Sequence, residues 1–232
     1  KYYVVETNVS DEYKLDNTRY EAILKTNGQV YALNAGEAIV NYFKRGTISL
    51  TKQSEDGKPL SGVEFTVYTD SACTNAVDKI VTGANGKGKS TALKLGTYYV
   101  KETKNPDSSF VLSPDVWSIT LTEDGKTAEL TAKPIVNFHA SGCIAISKVD
   151  EEGKPLEGVE FTIYDENMRE LSKVYTGADG KVVTCNQVIR DGVNGTKYYV
   201  VETNVSAEYK LDNTRYEAIL KTNGQVYALN AG

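Results

Sequence analysis

The chain has 232 residues, which is enough for two domains of ordinary size or one large domain. Its net charge of −5, without any dense cluster of lysine and arginine, argues against a nucleic-acid-binding protein, which normally presents a basic face. No apolar run approaches the roughly 20 residues that a membrane-spanning helix needs, so no membrane segment is predicted. The 16 tyrosines, together with many threonines and valines, favour β structure.

Short segments in which apolar and polar residues alternate predict a series of β-strands. In chain order they cover residues 47–53, 63–69, 97–103, 116–122 and 134–139. Acidic glycine turns separate several of them, and the turn at residues 122–127 predicts a hairpin. No segment shows a sustained helical period, and many short strands separated by turns indicate a β-sandwich or a barrel.

A long internal repeat is the clearest feature of the sequence. Residues 1–36 and residues 197–232 are the same except that Asp11 is replaced by Ala207, so the repeat period is 196 residues. A single difference over so long a segment indicates a recent duplication, and a fixed period of this kind is typical of arrays of similar domains.

A shorter and weaker period lies inside the long one. GKPLSGVEFTVY at residues 57–68 matches GKPLEGVEFTIY at residues 153–164, and TYYVKET at 97–103 matches KYYVVET at 197–203. The unit is therefore a domain of roughly 100 residues, an ordinary domain size. We expect the C-terminal half of one domain, one complete domain and one domain without its last strand, at residues 1–44, 45–139 and 140–232.

The predicted first strand of each domain carries a lysine at a position where an apolar residue is expected. Lys52 is in phase with Ile48 and Leu50, and Lys148 has the corresponding position 96 residues later. Since alternate side chains of a strand share a face, both lysines are predicted to point into the core. A buried, unpaired ammonium is costly, so a neighbouring group must neutralise or consume it.

Other predicted strands supply an acid and an amide. Glu102, Glu202 and Glu6 follow alternating apolar residues in the Y-Y-V-x-E-T segments, and Asn137 and Asn41 lie between apolar neighbours in the I-V-N segments. We expect these strands to be adjacent to the lysine strands, so that one lysine, one glutamate and one asparagine meet.

These motifs, taken in order, resemble the CnaB-type (SpaA-like) domains of Gram-positive surface proteins and pilins. The pattern runs G-x-I-x-L-x-K, D-G-K-P-L-x-G-V-E-F, Y-Y-V-x-E-T and I-V-N, and the resemblance covers nearly the whole chain. It implies an all-β fold of tandem immunoglobulin-like or prealbumin-like β-sandwich domains. The segment after Glu102, ETKNPDSSF, differs from the E-T-x-A-P-x-G-Y that the family usually has there.

The resemblance also implies a reaction. In that family the first-strand lysine and the last-strand asparagine condense to an intramolecular isopeptide bond with loss of ammonia, assisted by the glutamate. Carried onto this chain, the complete set is Lys52, Asn137 and Glu102. The remaining members belong to the flanking domains: Lys148 and Glu202 to the next one, Glu6 and Asn41 to the previous one.

General physical chemistry supports such a reaction. Burial lowers the pKa of a lysine, and a neutral amine is a nucleophile. A protonated carboxylic acid can polarise an amide carbonyl and shuttle protons, and folding supplies the proximity. The reaction occurs once, on the protein itself, so no enzyme activity is predicted. The alternative is a buried lysine–glutamate ion pair that the asparagine hydrogen-bonds, without a covalent bond.

The three cysteines, Cys73, Cys143 and Cys185, are too few for a disulfide framework or a metal site. A bridge between Cys143 and Cys185 is one alternative, and buried free thiols are the preferred interpretation. No metal or cofactor is predicted, because His139, the single histidine, has no evident partners for a site.

The predicted function is structural: a stalk or pilus-shaft repeat of an extracellular, cell-wall-anchored protein of a Gram-positive bacterium. The predicted partners are neighbouring repeats of the same protein, and head-to-tail self-assembly by strand complementation is a further hypothesis. The alternative function is a ligand-binding module for a host matrix protein or glycan. A binding module predicts exposed aromatic side chains around Tyr42, Phe43 or Phe110.

Overall fold

The computed structural model describes residues 1–231, with side chains as far as Leu229. In that part of the chain the secondary structure consists of eighteen β-strands and one 3-10 turn, Leu33–Gly36. The fold is all-β, as predicted. Among these residues no helix has the length and hydropathy needed to cross a membrane.

The N-terminal segment forms a small two-stranded sheet of its own. Strands β1 (Tyr2–Val4) and β2 (Tyr20–Ala22) pair antiparallel, and Tyr2 lies opposite Ala22.

A first sandwich follows. Its strands are β3 (Arg45–Ser54), β4 (Glu64–Tyr68), β5 (Ala76–Val81), β6 (Lys87–Lys89), β7 (Leu93–Lys94), β8 (Gly96–Lys104), β9 (Val116–Leu121), β10 (Thr127–Glu129) and β11 (Ile135–Asn137). One sheet is centred on β3, which pairs with β6, β7, β10 and β11, and the other has the order β5-β4-β8-β9.

A second sandwich repeats this plan. Its strands are β12 (Ser141–Lys148), β13 (Glu160–Asp165), β14 (Glu170–Tyr175), β15 (Lys181–Val188), β16 (Thr196–Asn204), β17 (Arg215–Leu220) and β18 (Val226–Ala231). The sheets have the orders β15-β12-β18 and β14-β13-β16-β17.

Each sandwich has its own hydrophobic core between its two sheets. Along β3 the burial alternates with a period of two, so Ile48 and Leu50 point inward. They belong to the same buried cluster as Phe65 and Val100 of the facing sheet. A separate cluster, which includes Ile144 and Phe161, fills the second sandwich.

The predicted hairpin at residues 122–127 is wrong. Strand β9 before the turn pairs with β8, whereas β10 after the turn pairs parallel with β3, so the turn carries the chain from one sheet to the other. The turn bonds to the start of β3: Gly125 N–H donates to the Arg45 carbonyl over 2.7 Å, and Thr47 N–H donates to Lys126 over 2.9 Å. Sequence patterns show that a turn exists but not which sheet the next strand joins.

The prediction of buried free thiols is also wrong. Cys143 and Cys185 form a disulfide between the antiparallel neighbours β12 and β15, next to an irregularity in their register. Cys143 alternates with the buried Gly142 and Ile144, so its side chain faces outward, and Cys185 is exposed. Cys73 is a free, half-buried thiol.

Candidate cross-linking site

Three strands of the first sandwich bring Lys52, Glu102 and Asn137 together. Strands β3 and β11 are parallel neighbours, and Asn137 lies two residues beyond the position opposite Lys52. Glu102 is on β8 of the facing sheet, opposite Phe65 of β4. The relative exposures are 0% for Lys52, 2% for Glu102 and 1% for Asn137, so the three side chains meet in the dry interior between the sheets.

The three side chains are in direct contact. Lys52 Nζ lies 2.5 Å from Asn137 Oδ1 and 3.1 Å from Glu102 Oε2. Asn137 Nδ2 donates a hydrogen bond to Glu102 Oε1. The amine therefore faces the carbonyl side of the carboxamide, and the carboxyl group contacts both the amine and the amide nitrogen.

Asn105 is a fourth member of the site, and no sequence pattern indicated it. Its Oδ1 accepts the second Nδ2 hydrogen bond of Asn137 over 2.6 Å, and its own Nδ2 donates to the Phe110 carbonyl over 2.9 Å. The hydrogen bond from Asn105 Nδ2 to the Phe110 carbonyl orients the amide so that Asn105 Oδ1 points towards Asn137. Because both acceptors lie on one side, the Asn137 carboxamide is held with its nitrogen away from Lys52. Asn105 is in the loop after β8, where the sequence differs from the usual family motif.

The electrostatics of the site favour an uncharged amine. Burial lowers the pKa of Lys52, and the nearby Glu102 opposes this shift only in part. Lys52 Nζ and Glu102 Oε2 are close, but they are not oriented for a hydrogen bond. This buried oxygen has no hydrogen-bond partner in the described part of the chain.

Close backbone packing fixes the position of Lys52 along β3. Its N–H donates to the Gly86 carbonyl over 2.7 Å, and its carbonyl accepts from Leu60 N–H over 3.1 Å. Gly86 has a φ of +72°, and a Cβ there would overlap the Lys52 carbonyl oxygen, so glycine is required. Gly180 makes the same approach to Lys148 in the second sandwich.

The other predicted residues form two partial sites. In the second sandwich Lys148 Nζ lies 3.2 Å from Glu202 Oε2, and the described residues place no carboxamide beside this amine. In the N-terminal segment Asn41 Nδ2 donates to Glu6 Oε1 over 2.6 Å, and no lysine of the described part of the chain contacts this amide. One partial site thus has the amine and acid, and the other has the amide and acid.

The aromatic residues named for a binding module mostly pack within the molecule. Phe43 stacks on Tyr13 and Phe110 packs on His139, each with ring centroids 4.5 Å apart, while Tyr42 remains exposed. In residues 1–231 no group of histidine, cysteine and carboxylate side chains is arranged to hold a metal ion.

A comparison of the sequence with known protein families agrees with the β-sandwich fold and with its occurrence in two consecutive domains. The model of the SpaA prealbumin-like fold domain matches residues 46–134 and again residues 142–231, which is well over half of the chain. The chain belongs to the SpaA prealbumin-like domain family. No curated protein matches the sequence.

Solved structures that are similar to this chain include the TIE protein of Bacillus anthracis. It is 26% identical with a TM-score of 0.63, and the match covers 82% of this chain but only 34% of that one. A streptococcal ancillary pilin is 19% identical over 98% of this chain and 73% of its own, with a TM-score of 0.38. The shaft pilin SpaA of Lactobacillus rhamnosus GG is 16% identical over 81% of this chain and 96% of its own, with a TM-score of 0.32.

Proposed function

We propose that this chain is a load-bearing stalk or pilus-shaft repeat of a Gram-positive surface protein, exposed outside the cell, and that it cross-links itself between Lys52 and Asn137. The observation that carries the proposal is the buried contact of amine, carboxamide and carboxyl group. In this account residues 45–139 are one complete repeat, and residues 1–44 and 140–232 are parts of the flanking repeats.

The proposed reaction is a transamidation within the sandwich core. The neutral Lys52 Nζ attacks Asn137 Cγ, so a C–N bond forms to Nζ and the bond from Cγ to Nδ2 breaks. Glu102 contacts both nitrogens, and it takes a proton from Nζ and delivers one to Nδ2, which leaves as ammonia. The protons balance, no cofactor is needed, and the held geometry supplies the proximity.

The bond would change the path of mechanical force. Strands β3 and β11 are the first and last strands of the sandwich and lie side by side. A covalent link between them carries tension from chain entry to chain exit, and the hydrogen bonds and core of the sandwich are bypassed. This is the property that a stalk requires.

The linker between the sandwiches supports the same role, because backbone hydrogen bonds hold it on both sides. The Phe138 carbonyl accepts from Val111 N–H, and Ala140 N–H donates to Ser109, both in the first sandwich. The Ala140 carbonyl accepts from Ile189 N–H of the second sandwich over 2.7 Å.

The linker before the first sandwich, residues 42–44, is also held by backbone hydrogen bonds on both sides. The Tyr42 carbonyl accepts from Lys14 N–H, Lys44 N–H donates to Glu12, and the Lys44 carbonyl accepts from Leu95 N–H. The pattern recurs with the period of the domains. Repeated, ordered junctions fit a quasi-linear array in which each unit contacts its neighbours.

Gly192 lies at the junction between the two sandwiches, and its substitution tests whether this junction is rigid. Ser108 Oγ lies 2.8 Å from the Gly192 carbonyl oxygen and 3.0 Å from the Lys221 carbonyl oxygen across the junction. A Cβ on Gly192 would overlap the backbone of Ser108 and Ser109. We expect Gly192→Ala to uncouple the two sandwiches, so that NMR relaxation gives each a shorter rotational correlation time. Gly83→Ala, where a Cβ has room, should leave the correlation times unchanged. Equal values for both variants would contradict a clamped junction.

Asn105 is expected to position the carboxamide for attack. Asn105→Ala removes one acceptor of Asn137, and the loss of one hydrogen bond should slow the cross-link by about two- to tenfold. The intact mass, followed at intervals after cell-free synthesis, measures this rate. Ser113→Ala in the same loop is the control and should react at the wild-type rate, because among the described residues its hydroxyl bonds to Asp115 alone. A rate in Asn105→Ala equal to that of the control would remove this role.

Electrophoresis of the denatured, reduced chain distinguishes the proposed Lys52–Asn137 cross-link from a simple ion pair of Lys52 and Glu102. A closed loop keeps a denatured chain compact, so the wild type should migrate faster than Glu102→Gln, which retains the shape of the side chain but not its acid. Identical migration would mean that the three groups only hydrogen-bond.

A further inference from the structure

The last strand of the first sandwich keeps its alternation beyond the three residues that pair with β3. Strand β11 pairs in parallel with β3, and its last residue, Asn137, lies opposite Ser54, where β3 ends. Beyond this point Phe138 is 65% exposed, whereas the side chain of His139 is only 11% exposed. Asn137 and His139 therefore face inward and Phe138 faces outward, as in a continuing strand.

Glu55 supplies the hydrogen-bond acceptor that β3 no longer offers. After Ser54 the chain enters a tight turn, in which Gly57 N–H donates to the Ser54 carbonyl over 2.9 Å. In a continued parallel ladder the His139 N–H would donate to a backbone carbonyl of the neighbouring strand. It donates instead to the carboxylate of Glu55, whose two oxygens lie 3.0 Å and 3.1 Å away. The Glu55 side chain thus extends the ladder by one acceptor.

The contacts of Glu55 fix the backbone on both sides of Phe138. Its own N–H donates to the Asn137 carbonyl over 3.1 Å, and His139 Nδ1 lies 2.6 Å from its Oε1. Partial burial raises the pKa of Glu55, but the hydrogen bonds from the backbone and ring of His139 outweigh this effect and hold the pKa below its usual range. Because the backbone of Asn137 is fixed, the direction of its side chain towards Lys52 is fixed as well.

A second connection runs from His139 to the carboxamide of Asn137. The ring of Phe110 packs on His139 with ring centroids 4.5 Å apart. The Phe110 carbonyl accepts from Asn105 Nδ2 over 2.9 Å, and Asn105 Oδ1 accepts from Asn137 Nδ2 over 2.6 Å. The histidine therefore supports the loop that orients the amide nitrogen, while Glu55 supports the backbone of the same asparagine.

We propose that Glu55 and His139 are positioning residues for the cross-link between Lys52 and Asn137. The inference rests on the cross-linking chemistry of the proposed function. Both residues act through the backbone of Asn137 and through Asn105, and the proton transfers remain with Glu102. The role of the Glu55 carboxylate is to reach the His139 N–H and to accept from it, so the length of the side chain matters more than its charge.

Substitutions at Glu55 separate the length of the side chain from its charge. Glu55→Gln keeps the length and an acceptor oxygen for the His139 N–H, and its amide can donate to Nδ1. Glu55→Asp keeps the charge but is one methylene shorter, and Glu55→Ala removes both. His139→Ala removes the ring and keeps the backbone N–H. Glu151→Ala is the matched control, since Glu151 is an exposed residue at the same position of the second sandwich.

The rate of ammonia loss is measured on the full-length chain as intact mass at intervals after cell-free synthesis. The fluorescence of Trp117, which packs against Phe65, gives the folded fraction of the first sandwich, and each rate is divided by this fraction. A variant that only loosens the fold then shows the wild-type rate. The comparison of Glu55→Asp with Glu55→Gln decides the question even where Glu55→Ala fails to fold.

We expect Glu55→Gln to react within about twofold of the wild-type rate, and Glu55→Asp and Glu55→Ala to react about tenfold more slowly. His139→Ala should be about threefold slower, because the hydrogen bond from its backbone remains. Glu151→Ala should react at the wild-type rate.

Two results would overturn the positioning role while the wild type still loses ammonia. One is a rate in Glu55→Ala equal to that of Glu151→Ala. The other is a faster reaction in Glu55→Asp than in Glu55→Gln, which would make charge more important than reach. A wild-type chain that loses no ammonia would overturn the proposed cross-link itself, and this inference with it.

Discussion

Under tension applied at its two ends, the wild-type chain should not release the segment between Lys52 and Asn137. The cross-link spans 85 positions in sequence. In Glu102→Gln the bond cannot form, and unfolding of the first sandwich should release that segment, lengthening the chain by up to about 290 Å at some 3.4 Å per residue. Single-molecule force spectroscopy measures this step directly.

Glu202→Gln is the matched control for the force experiment. Glu202 is as buried as Glu102 and lies at the same distance from its lysine within 0.1 Å, but no amide completes its site in the described structure. We expect its extension trace to keep the short first-sandwich step of the wild type. A total extension of the wild type equal to that of Glu102→Gln would contradict a load-bearing bond.

Glu102→Gln and Glu202→Gln should also differ in the free energy of unfolding of the first sandwich. A cross-link that closes a loop of 85 positions restricts the unfolded chain and stabilises the sandwich by about 4–5 kcal/mol, as for a disulfide of that loop length. Glu102→Gln should lose this amount. Trp117, the single tryptophan, packs against Phe65 in the first sandwich, so its fluorescence during chemical denaturation reports on that sandwich alone.

Glu202→Gln should leave the Trp117 transition unchanged, because the substituted residue belongs to the other core. If Glu102→Gln unfolds at the same denaturant concentration as the wild type, the cross-link contributes nothing to the stability of the first sandwich.

The sequence alone predicted the parts of this molecule that depend on periodicity. Alternation along residues 47–53 placed Lys52 on the same face as Ile48 and Leu50, and the structure buries all three. The repeat predicted tandem β-sandwiches, because a domain that recurs in sequence recurs in fold. The family resemblance then connected the lysine, glutamate and asparagine strands.

Features that depend on which strands become neighbours were not predictable in this way. The contact of Asn105 with Asn137 arises because a loop folds back over the end of β11, and no local pattern marks it. The disulfide of Cys143 and Cys185 requires β12 and β15 to be adjacent, which their separation of 42 positions does not reveal.

The conformation of the last part of the repeat was also outside the reach of sequence patterns. Leu33–Gly36 and the corresponding residues of β18 have the same sequence and different structures. In the second sandwich they lie along β12, whereas in the N-terminal segment they form a turn, and such long-range pairing is not encoded in a local pattern.

The most direct test of the account is the mass of the purified chain after reduction of its disulfide. We expect a mass lower by one ammonia than the sequence requires, and a proteolytic fragment in which Lys52 is joined to Asn137. A full sequence mass, with Lys52 and Asn137 recovered in separate unmodified peptides, would contradict it.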